Sequence, residues 1–403
     1  MTADIELIPD GTVSSPRGFS AGAVFACINM YSRHKLDLGI LLSEVPCITA
    51  GLFTENRMKA APVLLCRRKL PGNTTRAVVV NSGCANAGTG EQGMADAIAM
   101  TEAAAEMIEV NPQDVLIAST GVIGRKLPLD SIKVALKNIK LAPDGGNTLA
   151  KAIMTTDTTT KEVAVRVNGN DFIIGGIAKG SGMIHPQLGT LLCFLTTDAR
   201  INPDFLTTAL KKAVDISFNM VSIDGDTSPN DTVLLMANGL ADNAVIIQDT
   251  AQADVFQQAL DHACVHLAKD IARDGEGAGK LIEVIVRGAA NTADARSAAR
   301  TVVGSPLVKA AIHGNDPNWG RIIAAAGRSG AGLVESKLDL YIDGICLIKE
   351  GNPLPFNMND IVDILKGDEV SIDLNLNLGE ATATAWGCDL SEEYVTINSQ
   401  YTT

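Results

Sequence analysis

The chain has 403 residues, 46% of them hydrophobic, with 46 Asp and Glu against 33 Lys and Arg and a formal net charge of −13. That length allows two domains or one domain with a lobe, and 37 glycines spread along it imply many tight turns in a globular fold. An acidic surface without a basic cluster argues against nucleic acid as a partner. No apolar run approaches the ~20 residues of a membrane span, and the start lacks the basic and apolar regions of a secretory signal, so a cytoplasmic location is expected.

Residues 76–82 (RAVVVNS) and 115–119 read as buried strands bounded by turn residues. Between them, 92–110 carries Ala, Met, Glu and Ile at helical spacing, and Asn111-Pro112 stops it. Further on, the pattern predicts a strand at 190–196, a helix opened by Pro203 and running through Val214, a strand at 232–236 and a long amphipathic helix at 254–271. A strand at 282–287 precedes a helix over 297–312 that Pro306 should kink or split. Strands are expected at 338–342, 370–374 and 381–386, and Tyr394-Val-Thr-Ile-Asn reads as a last strand. Neither a dinucleotide-binding glycine fingerprint nor a P-loop occurs. Helices mixed with antiparallel-looking strands point to a layered α/β sandwich rather than a doubly wound nucleotide fold.

The eight cysteines contain no CxxC pair and no histidine at ligand spacing, so free buried thiols are expected and no metal site. Cys264 and His266, two apart on an expected helix, point away from each other.

The most informative segment is 176–200, GIAKGSGMIHPQLGTLLCFLTTDAR. It combines Lys179, a glycine stretch read as mobile (Lys179-Gly180-Ser181-Gly182) and a Gly189-Thr190 step into an apolar strand. Gly189 has no side chain to hinder attack on its carbonyl by the Thr190 hydroxyl. Water can open the resulting ester, leaving Thr190 as a new N-terminus. Its α-amine, with a reference pKa of about 8, then serves as base for its own hydroxyl. Taken alone, though, a Gly-Thr step is ordinary and Ser119-Thr120-Gly121 is a turn closing a strand. Lys179 alone is a surface cation, Glu276 a solvated carboxylate in a glycine turn, and Asn398 and Thr403 a frayed terminus. His185 reads as a loop histidine, and Asp224-Gly225-Asp226 with Asp231 as a turn that lacks calcium-loop spacing.

Seven collinear segments spanning nearly the whole chain resemble those of the ornithine acetyltransferase family. They are NSGCANA (81–87), IASTGVIG (117–124), AIMTTDT (152–158), the stretch 179–190, DGEG (274–277), HGNDPNWGR (313–321) and INSQYTT (397–403). The resemblance implies a layered α-β-β-α-like sandwich of the self-cleaving N-terminal-nucleophile type with a second, smaller α/β lobe. It implies cleavage between Gly189 and Thr190 into 1–189 and 190–403, and a heterotetramer of two cleaved pairs. The implied activity is glutamate N-acetyltransfer in arginine synthesis, from N2-acetylornithine to glutamate, without a cofactor. Thr190 would carry the acetyl group, and Thr120 and Gly121 would form the oxyanion hole. Thr155, Lys179, Thr190, Glu276, Asn398 and Thr403 would contact substrate, Lys179 suiting an α-carboxylate and Glu276 the side-chain amine of ornithine. Acetyl-CoA stays open as a second donor. The chain departs from the family where Gln187-Leu188-Gly189 replaces the usual Asn-Met-Ala, glycine being the least hindered choice. Two other readings stay open: a self-cleaving amidohydrolase or aminopeptidase, and an uncut amino-acid-binding relative without catalysis.

Overall fold

The structure, a computed structural model, describes residues 4–28, 35–167, 172–185 and 191–400. The first half holds β1 (Ile5–Leu7), β2 (Phe19–Val24), β3 (Leu38–Phe53), α1 (Ala61–Lys69), β4 (Gly72–Asn81), α2 (Gly90–Met107) and β5 (Val115–Ser119). It continues through α3 (Leu129–Leu136), α4 (Gly146–Ile153), β6 (Lys161–Val167) and β7 (Ile173–Lys179). The second half opens with β8 (Leu192–Thr197), α5 (Pro203–Ile216), β9 (Val221–Ser222), β10 (Thr232–Ala237), α6 (Ala251–Arg273) and β11 (Leu281–Ala289). Next come α7 (Thr292–Val303), α8 (Pro306–His313), α9 (Trp319–Gly327), β12 (Asp339–Ile342), β13 (Ile345–Lys349) and β14 (Asn352–Pro353). The chain finishes with α10 (Met358–Leu365), β15 (Glu369–Asn375), β16 (Ala381–Cys388) and α11 (Glu392–Gln400).

Among the described residues the strands form two sheets. The larger runs β1-β6-β7-β8-β10-β3-β4-β5, with β2 paired to β3. Its central strands are apolar on both faces, which is why they read as unbroken hydrophobic runs. Leu192, Phe194, Leu234 and Met236 pack with the core shared by α1–α4. Their neighbours Cys193, Leu195, Val233 and Leu235 face the core containing α5 and α6. The smaller sheet, β14-β13-β12-β15-β11-β16-β9, comes wholly from the second half. Its Ile282, Val284, Ile372 and Leu374 are fully buried, while Glu283, on the opposite face, pairs with Lys269 of α6 at 2.9 Å. α6 also packs on β6 and β7, so it links the sheets. The expected α/β layering and second lobe are both present.

Local chemistry accounts for most boundaries. Asn202 caps α5 by accepting from the N–H groups of Asp204 and Phe205, with Pro203 in the first turn. Pro306 splits the helix expected over 297–312: α7 ends at Val303, and α8 begins at the proline, whose missing N–H costs nothing there. One expectation is overturned. The segment read as a strand from Tyr394 is helix α11. Its β-branched run has no strand to pair with among the described residues, while Glu392 and Glu393 suit a helix N-terminus. The half-buried Tyr394 and Ile397 recur at a spacing of three.

Candidate active site

The start of β8 is framed by its neighbours. Lys179, the last residue of β7, is the antiparallel partner of Leu192, and Thr232 at the start of β10 is its parallel partner. Just ahead of the strand, Leu191 donates its N–H to Asp231 Oδ1 at 3.0 Å, and its carbonyl accepts from the Thr232 N–H. Gly189, Thr190 and Thr403 lie outside the described residues.

Six residues singled out from the sequence, Thr120, Gly121, Thr155, Lys179, Glu276 and Asn398, line one cleft. Ile123, Thr156, Gly182, Met183, Ser228 and Asn230 complete its wall. Residues more than 270 positions apart therefore meet at the ends of β5, β7, α6 and α11.

The wall after β5 is built to present donors. The Thr120 N–H is spent on the Asn81 carbonyl at 3.0 Å, which leaves its hydroxyl for the cleft. The Gly121 N–H has no acceptor among the described residues. Gly121 sits at φ +120°, where a Cβ would lie 2.5 Å from the Gly83 carbonyl carbon, so only glycine fits this close approach. Asn230 braces the turn from outside, its Nδ2 donating to the carbonyls of Ser119 (2.8 Å) and Ala85 (2.6 Å). Asn81 does so from within, accepting from Ser119 Oγ at 2.7 Å and donating to the Cys84 carbonyl at 2.9 Å. A hydroxyl and a free N–H held side by side can stabilise a developing oxyanion.

The opposite wall is charged and buried. Lys179 is only 2% exposed, so it is no surface cation. Burial lowers its pKa, against the pull of Asp157. Asp157 accepts from the Gly180 N–H at 2.7 Å, the Thr155 N–H at 2.9 Å and Lys161 Nζ at 2.8 Å. Burial opposes its charge, but Lys179 and Lys161 outweigh burial and hold its carboxyl far below the ordinary carboxylate range. Lys161 Nζ also reaches Asp274 Oδ2 at 2.5 Å, and Asp274 accepts from the Thr158 N–H at 3.1 Å. Thr156 Oγ1 and Ser181 Oγ lie 2.7 Å apart. The glycine stretch read as mobile is thus tied down on both sides.

Glu276 closes the third side. Its N–H bonds the Ser181 carbonyl at 2.8 Å, and its carboxylate lies so close to Gly182 that a Cβ there would meet it at 2.5 Å. Asn398 Nδ2 donates to Glu276 Oε2 at 2.7 Å, bringing α11 onto the cleft. The HGNDPNWGR segment, which had no role assigned from sequence, braces this helix. His313 Nδ1 lies 2.8 Å from Asp389 Oδ2, and its Nε2 lies 3.3 Å from Glu392 in the first turn of α11.

Sequence reasoning passed over Asp157 and Asn230, and read Asp231 only as part of a turn with Asp224. Asp157 sits in a threonine-rich loop and reads as a turn residue. Asp224 and Asp231 do not share one loop role: Asp224 accepts from the Ile184 N–H at 3.0 Å, whereas Asp231 takes Leu191. Asp231 is fully buried, its Oδ2 has no hydrogen-bond partner among the described residues, and burial raises its pKa well above the ordinary value. His185 Nδ1 lies 3.1 Å from Ser222 Oγ, and burial lowers its pKa.

Comparison with known proteins returned one family model, the ArgJ family, matching residues 21–403. The chain is 54% identical over 405 residues to the arginine biosynthesis bifunctional protein ArgJ of Dehalococcoides mccartyi (strain CBDB1), covering 100% of both. It is 45% identical over 396 residues to the protein of that name from Bacillus subtilis (strain 168), covering 98% of this chain and 97% of the relative. Among solved structures, a chain of the same description from Bacillus halodurans matches with a TM-score of 0.51 and 47% identity. It is covered over 98% of its length and covers 52% of this chain.

Proposed function

Given that the chain belongs to the ArgJ family, we propose that it is an acyltransferase of arginine biosynthesis that carries acetyl from N2-acetylornithine to glutamate on Thr190. The observation that carries the reading is the meeting of two oxyanion donors, a buried ammonium and a buried carboxylate in one cleft at the start of β8. The chain first cuts itself after Gly189. A solved relative whose chain is matched almost end to end spans about half of this one, the length of one fragment, and supports that step. The Thr190 amine then takes the proton of its own hydroxyl as that oxygen attacks the acetyl carbonyl. Thr120 Oγ and the Gly121 N–H hold the negative oxygen, ornithine leaves with the proton, and an acetyl ester remains. The glutamate α-amine attacks the ester, the same donors act again, and N-acetylglutamate departs.

Lys179 receives the α-carboxylate common to both substrates, and Glu276 the side-chain amine of ornithine. Thr155, Asn398 and Thr403 contact the rest. Assembly as two fragment pairs and acetyl-CoA as a second donor belong to the same proposal.

Because one hydroxyl accepts and then releases the acetyl group, N-acetylornithine alone should release one ornithine per site and stall with Thr190 acetylated. Glutamate should restart turnover, and initial-rate plots should be parallel. Intersecting lines with no acetyl on Thr190 would mean direct transfer in a ternary complex, and continued ornithine release without glutamate would mean a hydrolase. Glu276→Gln should raise KM for N-acetylornithine on the order of tenfold, the worth of one charge-assisted hydrogen bond, and KM for glutamate much less. Equal rises for both substrates would remove the ornithine amine from Glu276.

A further inference from the structure

We infer that Asp157 is a positioning residue that aims the Lys179 ammonium into the cleft and thereby sets the preference for substrates bearing an α-carboxylate. This rests on the transferase reading above. The geometry assigns the role atom by atom. Oδ1 accepts from Gly180 N–H and Lys161 Nζ, and Oδ2 accepts from Thr155 N–H. One carboxylate therefore ties the loop that carries Thr155 to the strand end that carries Lys179. Lys179 Nζ stands 3.9 Å from Oδ2, close enough for charge attraction but beyond hydrogen-bond reach.

That distance separates two lysines by task. Lys161 is saturated, held by both Asp157 and Asp274. Lys179 makes no hydrogen bond to the protein among the described residues, yet it is as buried as Lys161 and lines the cleft. A buried ammonium with unused donors requires a counter-charge behind it to remain charged. Asp157 supplies that charge without occupying the N–H groups, which stay open to an incoming carboxylate. Lys35 Nζ donates to the Thr155 carbonyl at 2.8 Å and steadies the loop from its other end.

The test compares Asp157→Asn with the wild type on two donors at saturating glutamate: N2-acetylornithine and N-acetylputrescine, which is the same molecule without its carboxylate. The wild type should favour the carboxylated donor in kcat/KM. The variant should lose about tenfold or more of that preference, through KM for N-acetylornithine, with kcat/KM for N-acetylputrescine little changed. A merely structural role would lower both donors together, and an unchanged preference or a parallel loss overturns the inference. If Asp157→Asn fails to fold because Lys161 is stranded, the Asp157→Asn/Lys161→Gln pair removes one charge of each sign and should show the same selective loss. Failure of both to fold would make Asp157 a folding residue and also overturn the inference. A wild type that uses neither donor overturns the transferase reading instead. The inference is then read from calorimetric binding of glutamate against 4-aminobutyrate, a preference the variant should erase.

Discussion

Thr190→Ala protein should remain one chain of 42.2 kDa with no acetyl transfer, while the native protein should resolve into fragments 1–189 and 190–403. One hydroxyl both cuts the chain and carries the acetyl group, so a single substitution removes both events. Intact-mass measurement reads the cut, and N-acetylglutamate formation reads the transfer. The surroundings support the prediction: Leu191, the next residue, is pinned through its N–H to the buried Asp231 and through its carbonyl to Thr232. The strand that follows Thr190 is thus anchored from its first residues, which a nucleophile at a chain end requires. A native protein that transfers acetyl at full rate as a single uncut chain would end the N-terminal-nucleophile reading.

Thr120→Ala should lower kcat on the order of a hundredfold, about 3 kcal/mol of barrier, with KM for either substrate nearly unchanged. The backbone N–H of Thr120 is already bonded to Asn81, so only its hydroxyl can reach an oxyanion. The bond strengthens as charge develops on that oxygen, and its loss falls on the transition state. The protein should otherwise fold as before, because Asn230 and Asn81 hold the turn through neighbouring atoms. A raised KM with kcat intact would move Thr120 from the oxyanion hole to substrate binding.

Much of this architecture was readable from residue patterns. The valine run of β4 is β-branched, the strand β5 is apolar, and both are bounded by turn residues, so they announce themselves. Other elements hid for identifiable reasons. β3 is 16 residues long, but Glu44 and Pro46 interrupt its apolar pattern, and its register with β4 shifts between Leu42 and Cys47. A bulged strand of that kind leaves no clean alternation. α11 misled because Val395, Thr396 and Ile397 favour strands locally, and the absence of a neighbouring strand among the described residues is a tertiary fact. Six cleft residues were found through collinear motifs, not through spacing, since the cleft joins positions from 120 to 398. Asp157 escaped because its importance lies in four contacts made by one carboxylate, and only one of them, to Lys161, falls on a familiar sequence interval.

The order of the large sheet has a bearing on how the protein could ever come apart. β8 and β10 sit in its middle, with β7 on one side and β3 on the other, and both flanking strands precede residue 190. A cut after Gly189 would leave a keystone arrangement, in which the later half is wedged into a gap that only the earlier half can frame. Neither half would own the finished large sheet. Alone, the first would present the raw edges of β7 and β3, and the second a bare strand pair, both invitations to aggregation. The halves would therefore behave as one permanent body, and two separate genes encoding them would need simultaneous expression to yield soluble protein.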